Sequence, residues 1–143
     1  MSEHPWRRTA APSLDDFTSM AQEAFARLPA EFRAQVGDVS FHVLDFADDQ
    51  TLADLGIDDP FGLSGLYTGV PVGQRSVLDG SAQANRIFLY RQPILAEWCE
   101  TAGLKLDDLV AHVLVHEIAH HFGLSDEQIH AIEDSADAEE AER

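Results

Sequence analysis

The sequence predicts a single α+β domain, and three observations favour this class. The 143 residues are about one domain's worth of chain, enough for one hydrophobic core. The predicted elements run helix, strand, a glycine-rich stretch with short strands, and then helices, without strand–helix–strand alternation or internal repeats. The single cysteine, Cys99, excludes an internal disulfide framework and is expected as a buried thiol in an amphipathic helix.

The first predicted helix begins after Ser13. Apolar residues recur at helical spacing through residues 14–28. Ser13 with Asp16 can open this helix. Pro29 is expected to end this helix or to start a second turn.

A short helix and a strand are predicted next. The helix passes through Phe32 and ends near Gly37. Residues 39–43 then alternate between apolar and polar side chains, as a half-buried strand does. His42 falls on the polar side of this strand, where an ordinary exposed histidine is expected. Residues 51–55 are predicted to form one further helical turn.

A glycine-rich stretch follows and predicts a loop or ribbon on the substrate side of the domain. Residues 56–80 hold six glycines and two prolines. Within this stretch Leu66, Tyr67 and Val70 are expected to be extended.

Residues 86–91 form the clearest second strand, apolar in the middle and charged at both ends. This strand is either a plain core strand or an edge strand beside the site, where free backbone groups could pair with an extended peptide. Pro93 then begins a helix that ends at Gly103. Asp107 or Asp108 opens the last strongly apolar helix.

That last helix carries the sequence H-E-x-x-H, written by His116, Glu117 and His120. Residues four apart lie on one face of a helix, so the two histidines can bind a single ion. Glu117 is one position along and can act as general base on a metal-bound water. The apolar residues expected to bury the rest of the helix are Leu109, Val110, Val113, Leu114, Val115, Ile118 and Ala119.

A catalytic zinc normally has a third protein ligand, and Asp126 is the favoured candidate. Gly123 can end the helix in the left-handed conformation and turn the chain back, so that Asp126 swings toward the ion. Alternatively, Asp126 is only a first-turn acid of the next helix, because Ser125 and Gln128 write a capping box. The rival third ligands are Glu127, His130 and Glu133.

Two further histidines flank the motif. His112 lies one turn before His116, but His112 and His120 are about 12 Å apart along the helix and cannot share one ion. His112 is therefore expected to line the pocket or support the site, or else to be a satisfied, partly buried histidine. His121 points to another side and is expected to hold a backbone carbonyl.

The pattern H-E-x-x-H-x-x-G-x-x-D resembles the small bacterial zincin-like metallopeptidase domain family, the minimal zincins, and residues 65–71 and 86–91 add to the resemblance. The resemblance covers roughly residues 14–132. It implies a short mixed sheet packed by helices, and zinc held by His116, His120 and Asp126. The motif is also similar to that of metzincins, whose third ligand is usually histidine and whose site is floored by a methionine that this chain lacks.

The resemblance implies a zinc-dependent metallopeptidase. Zinc would activate a water, and Glu117 would accept its proton and pass it to the leaving amine. The candidate donors to the oxyanion are Tyr67, Tyr90 and His112. The alternatives are a zinc-stabilised binding or regulatory module with little turnover, and a zinc hydrolase acting on a non-peptide amide. An open fourth position on the ion favours catalysis, whereas four protein ligands favour a structural site.

The formal charge of -17 excludes nucleic acid and anionic membranes as expected partners. No lysine or arginine occurs between Arg33 and Arg75. This acidic surface is expected to be a solubilising face; the functional alternative is a preference for basic peptide substrates. Residues 1–143 are expected to form one domain, with flexible ends at residues 1–12 and 134–143. Because no signal peptide or membrane span is visible, a cytoplasmic location is expected.

Overall fold

The structure is a computed structural model that describes residues 5–69 and 85–141, with side chains over residues 7–69 and 85–134. The helices are α1 (Leu14–Ala26), α2 (Ala30–Val36), α3 (Asp49–Leu55), α4 (Arg91–Glu100), α5 (Leu106–His121) and α6 (Asp126–Ala141). The strands are β1 (Ser40–Leu44), β2 (Gly65–Thr68) and β3 (Arg86–Tyr90), and single 3-10 turns occur at Pro5–Arg8 and Pro60–Gly62. The predicted α+β class is confirmed.

Over the described residues, β3 is the central strand of a three-stranded mixed sheet. β1 pairs with it in parallel and β2 pairs with it antiparallel, Gly65 lying opposite Leu89. The alternative that placed residues 86–91 at a sheet edge is therefore wrong. Ile87 and Leu89 are fully buried, as the apolar middle of a central strand requires. Within the described ranges the edge strands are β1 and β2.

α5 is the central helix, because it contacts α1, α4, α6, β2 and β3. All seven apolar residues expected to bury this helix are buried: Leu109, Val110, Val113, Leu114, Val115, Ile118 and Ala119. Apolar packing on several sides fixes the helix, while His116 and Glu117 stay only half-buried. The helix that carries the H-E-x-x-H motif is thus held rigidly by the core.

Local turn and cap signals placed several helix ends correctly. The Ser13 Oγ accepts from the Asp16 backbone N–H at 3.1 Å, and Asp16 Oδ2 accepts from the Ser13 N–H at 2.8 Å. α2 ends at Gly37, as predicted. Gly123 has a φ of 71°, so the left-handed turn expected after α5 is present.

α4 begins at Arg91, directly after β3, rather than at Pro93 as predicted. Proline is tolerated in the first turn of a helix, where no intrahelical partner is lost. Asp45 stabilises the start of α4, because its carboxylate accepts a hydrogen bond from the Arg91 guanidinium at 3.0 Å and its carbonyl accepts one from the Gln92 N–H at 3.2 Å.

The prediction that the Cys99 thiol is buried is also wrong. Cys99 is exposed, since α4 turns the face that carries Ile94 toward the core.

Three further sequence expectations bear on the ends and loops. α6 is helical to Ala141, where the acidic segment was expected to fray; its alanine and glutamate residues are strong helix formers. Leu66 and Tyr67 are extended in β2 as expected, whereas Val70 and the remaining residues of the glycine-rich stretch, 71–80, lie outside the described residues. His42 is exposed as expected and stacks on the Phe88 ring at 5.0 Å.

Candidate metal centre

The H-E-x-x-H residues lie on the second half of α5. His116 and Glu117 are partly buried, and His120 is exposed. The ring centroids of His116 and His120 are 5.7 Å apart. The two imidazoles are therefore neighbours on one helix face, as their spacing predicts.

Asp126 is the first residue of α6, close to the motif. The capping box predicted beside it is present: Gln128 Oε1 accepts from the Ser125 N–H at 2.9 Å, and Ser125 Oγ accepts from the Gln128 N–H at 3.2 Å. Burial lowers the pKa of His116 and His112 lowers it further, while the charges of Glu133 and Asp126 oppose the shift. Asp126 thus acts electrostatically on His116, and its predicted role as a ligand stays a prediction.

A different trio lies closer together than the predicted one. Glu133 Oε1 is 3.2 Å from His112 Nδ1 and 3.2 Å from His116 Nε2. The two imidazole centroids are 4.0 Å apart. Each histidine nitrogen, cysteine sulfur or carboxylate oxygen is a possible metal ligand. Among the described side chains, only His112, His116 and Glu133 bring three such atoms, one from each residue, within 4.8 Å of one another. We call these three residues the His112 cluster.

The His112 cluster fits a divalent metal ion. His116 Nε2 and Glu133 Oε1 are both buried, yet neither makes a hydrogen bond of acceptable geometry to any described residue. A buried polar atom without a hydrogen bond costs about 1–3 kcal/mol, and an ion coordinated by both atoms would remove that cost. Two imidazoles and one carboxylate are a donor set that zinc accepts.

Glu117 sits where α5 meets β2. A Cβ added at Gly65 would lie 3.2 Å from Glu117 Cγ and 2.9 Å from Val113 Cγ1, so the strand passes very close to the helix. Burial raises the pKa of the Glu117 carboxyl, and the nearby His120 partly opposes that shift. A raised pKa brings a carboxyl closer to the operating pH of a general base, which supports the role predicted for Glu117.

Gly65→Ala is expected to destabilise the fold by about 1–3 kcal/mol, because the new methyl group overpacks a filled contact. The contact includes the Phe88 carbonyl at 3.2 Å, which is backbone and cannot rotate away. Urea unfolding measures the effect. Gly62→Ala is the matched control, since its Cβ would meet only Ile57 Cγ2 at 3.4 Å. Equal unfolding free energies for the two variants would contradict the close approach of β2 to α5.

The candidate oxyanion donors occupy different places. Tyr90 is buried, and burial raises its pKa with further contributions from the charges of Asp48 and Glu117. Tyr67 packs its ring 4.5 Å from the ring of His121. His121 has a hydrogen bond to the Gly69 backbone, in agreement with the structural role expected for it. Tyr90 is thus the candidate whose hydroxyl is influenced by the proposed general base.

The sequence named both Glu133 and His112 but did not join them. His112 was expected to line a pocket or support the site, and Glu133 was one of three rival ligands. The available signal was their spacing: His112 and His116 are four apart on α5, and Glu133 is seven residues after Asp126 on α6. Each spacing places two side chains on one face of its own helix. Which face of α6 packs against which face of α5 can be known only from the tertiary structure.

A family model described as zincin-like metallopeptidase matches residues 36–136, which span every strand, helix α5 and most of α6. No curated protein matches the chain. None of the helices over the described residues is long and apolar enough to cross a membrane.

Proposed function

Because the chain belongs to the zincin-like metallopeptidase family, we propose that it is a zinc-dependent metallopeptidase that hydrolyses peptide bonds. The observation that carries this proposal is the environment of Glu117, which is half-buried against β2, has a raised pKa and lies beside His120. His116, His120 and Asp126 are the proposed zinc ligands. Glu117 is the proposed general base.

Each of these residues has a distinct task. When bound, zinc supplies a Lewis acid for the scissile carbonyl and lowers the pKa of water. His116 and His120 present neutral imidazole nitrogens, and Asp126 offsets part of the cationic charge. Glu117 accepts a proton from the attacking water and delivers it to the leaving amine. Tyr90 is the proposed hydrogen-bond donor to the oxyanion, because its hydroxyl stays protonated beside Glu117.

The proposed substrate is an extended peptide. β2 pairs only through its β3 side within the described residues, and Gly65 brings this strand against Glu117. A peptide that adds to such an edge would lie along the general base. The net charge of -17 favours basic peptides over nucleic acids. The single cysteine, exposed on α4, is compatible with the reducing cytoplasm that we propose as the location.

One observation favours a second candidate function, a zinc-stabilised binding or regulatory module with little turnover. The carboxylate of Glu133 lies 3.2 Å from His116 Nε2. If Glu133 joined the proposed ligands as a fourth, it would fill the position that a catalytic site keeps for water.

Metal content tests the site first. Untagged protein is expected to hold about one zinc ion per chain by elemental analysis, as a catalytic site does. His116→Gln should weaken zinc binding more than about 100-fold, because even loss of a group that supports a ligand costs about 10–100-fold. His42→Gln, which removes an exposed histidine of β1, is the control. Protein that takes up no zinc when zinc is supplied would reduce the motif to an ordinary histidine-bearing helix.

A further inference from the structure

α6 carries two acidic residues toward α5, and only one of them belongs to the proposed catalytic site. Ile129 is fully buried, and Asp126 and Glu133 lie three residues before and four residues after it. These spacings place all three residues on one helix face. The return of the chain along α5 therefore brings Asp126 near the end of the H-E-x-x-H motif and Glu133 beside His112 and His116.

We propose that His112, His116 and Glu133 form a second divalent-metal site, which shares His116 with the proposed catalytic site and holds the ion in an inactive position. This inference rests on the proposed function for its regulatory meaning. The site itself rests on the geometry of the His112 cluster alone.

The distances within the cluster are those of a metal site. Ligand atoms about 2.0–2.1 Å from a tetrahedral zinc lie about 3.3–3.4 Å from one another. Glu133 Oε1 is 3.2 Å from each histidine nitrogen, and all three donor atoms lie within 4.8 Å. An ion can therefore enter with small side-chain movements. It would also coordinate His116 Nε2 and Glu133 Oε1, which are buried and form no hydrogen bond with the described residues.

The two sites exclude each other because both need His116. One imidazole nitrogen binds one ion at a time, and the Nε2 of His116 faces Glu133. The pair His112 and His116 lies four residues, about 6 Å along the helix, before the pair His116 and His120. An ion that moves between the two sites must exchange His112 and Glu133 for His120 and Asp126.

An ion in the His112 cluster lies away from the general base. Glu117 packs against Gly65 of β2, and its charge interaction is with His120. The cluster instead faces α6 and a cleft of about 790 Å³ between α1, α4 and α5. Zinc held by His112, His116 and Glu133 would therefore not present its water to Glu117, and would not support hydrolysis.

The same cleft gives the cluster an entry path. His112 and Glu133 line it, and none of Glu117, His120 and Asp126 does so. Its other acidic residues are Glu97, Asp107 and Asp108, against the basic Arg27 and Lys105. With Glu133 the charged lining is net negative, which raises the local concentration of cations. A separate route for the ion is what a second site requires.

Zinc titration of variants tests the second site without an activity assay. Chelator-treated protein carrying His120→Gln and Asp126→Asn is titrated with zinc chloride by calorimetry. We expect this double variant to bind about one zinc per chain through the remaining three ligands. Adding Glu133→Gln should weaken that binding more than about 100-fold. Adding Glu31→Gln, the same change at an exposed acid on α2, should leave it unchanged.

Two results would overturn the second site: a double variant that binds no zinc, or one whose zinc affinity is the same with and without Glu133→Gln. Circular dichroism checks that each variant is folded. If Glu133→Gln fails to fold, His112→Gln in the double variant gives the same comparison, because His112 is half exposed and its loss leaves the core intact.

Activity separates this inference from the proposed function. Glu133→Gln alone should retain one zinc at the catalytic site and increase hydrolysis per bound zinc, by about twofold where the ion divides equally between the sites. Unchanged hydrolysis per zinc would overturn the regulatory role. Zinc binding to the cluster without hydrolysis in either protein would refute the proposed function and leave the second site standing. If wild type shows zinc-dependent hydrolysis and the double variant binds no zinc, the proposed function would stand and the second site would be refuted.

Discussion

Replacing Glu117 by glutamine is expected to lower peptide hydrolysis by about 10²–10⁴-fold, the range typical of general acid–base catalysis. The amide keeps the size of the carboxyl but cannot accept a proton from water. Glu117 is not among the proposed zinc ligands, so the variant should hold as much zinc as wild type. Loss of activity with zinc retained distinguishes a general base from a ligand.

The measurement pairs two readouts on the same sample. Cleavage of a peptide library is followed by mass spectrometry, because the substrate is defined only as a peptide, and zinc is measured by elemental analysis. Glu31→Gln is the control, since it makes the same change at an exposed acid on α2, outside the site. A Glu117→Gln protein that cleaves the library at the wild-type rate would remove Glu117 from the mechanism.

The parts of the fold that depend on local sequence were predictable. The seven buried positions of α5 repeat at helical spacing, and the apolar stripe that they form requires no knowledge of the neighbouring elements. The start of α1 at Ser13 and the turn at Gly123 are likewise set by residues within one turn of chain. Short-range hydrogen bonds and backbone preferences explain why these predictions were correct.

The strand order and the exposure of Cys99 were not predictable in this way. Residues 86–91 have the same apolar middle whether they form an edge or a central strand. Their position is decided by pairing with β1, more than forty residues earlier, as Ser40 opposite Arg86 shows. Cys99 lies beside Trp98, whose ring packs on the core, and which of the two neighbours faces inward depends on how α4 docks.

In the metal centre, too, some features follow from local sequence and others depend on tertiary packing. His116, Glu117 and His120 belong to one helix, so their common face follows from their spacing. Glu133 reaches His116 only because α6 folds back on α5 after the Gly123 turn and buries Ile129. The angle of that return depends on packing between two helices, which spacing along either helix does not specify. The choice between Asp126 and Glu133 as a partner of His116 is therefore a tertiary question.

Ile118→Ala is expected to destabilise the protein by about 2–5 kcal/mol, a large part of the roughly 5–15 kcal/mol that holds a typical domain together. Ile118 is fully buried between the ligand positions His116 and His120. Its side chain is part of the core that holds α5 in place, so the cavity weakens the support of the metal centre as well as the fold. Urea unfolding of chelator-treated protein measures the loss against Leu55→Ala, which truncates an exposed leucine.

Zinc should return part of this stability, because an ion that binds only the folded state stabilises it by about 2.7 kcal/mol at 100 times its dissociation constant. The same zinc should have no effect on Ile118→Ala combined with His116→Gln, since both the proposed catalytic site and the His112 cluster need His116. Equal stabilisation of the two proteins would mean that zinc binds elsewhere on this acidic chain. Stabilisation that requires His116 would show instead that metal binding and the packing of α5 are coupled in one folding unit.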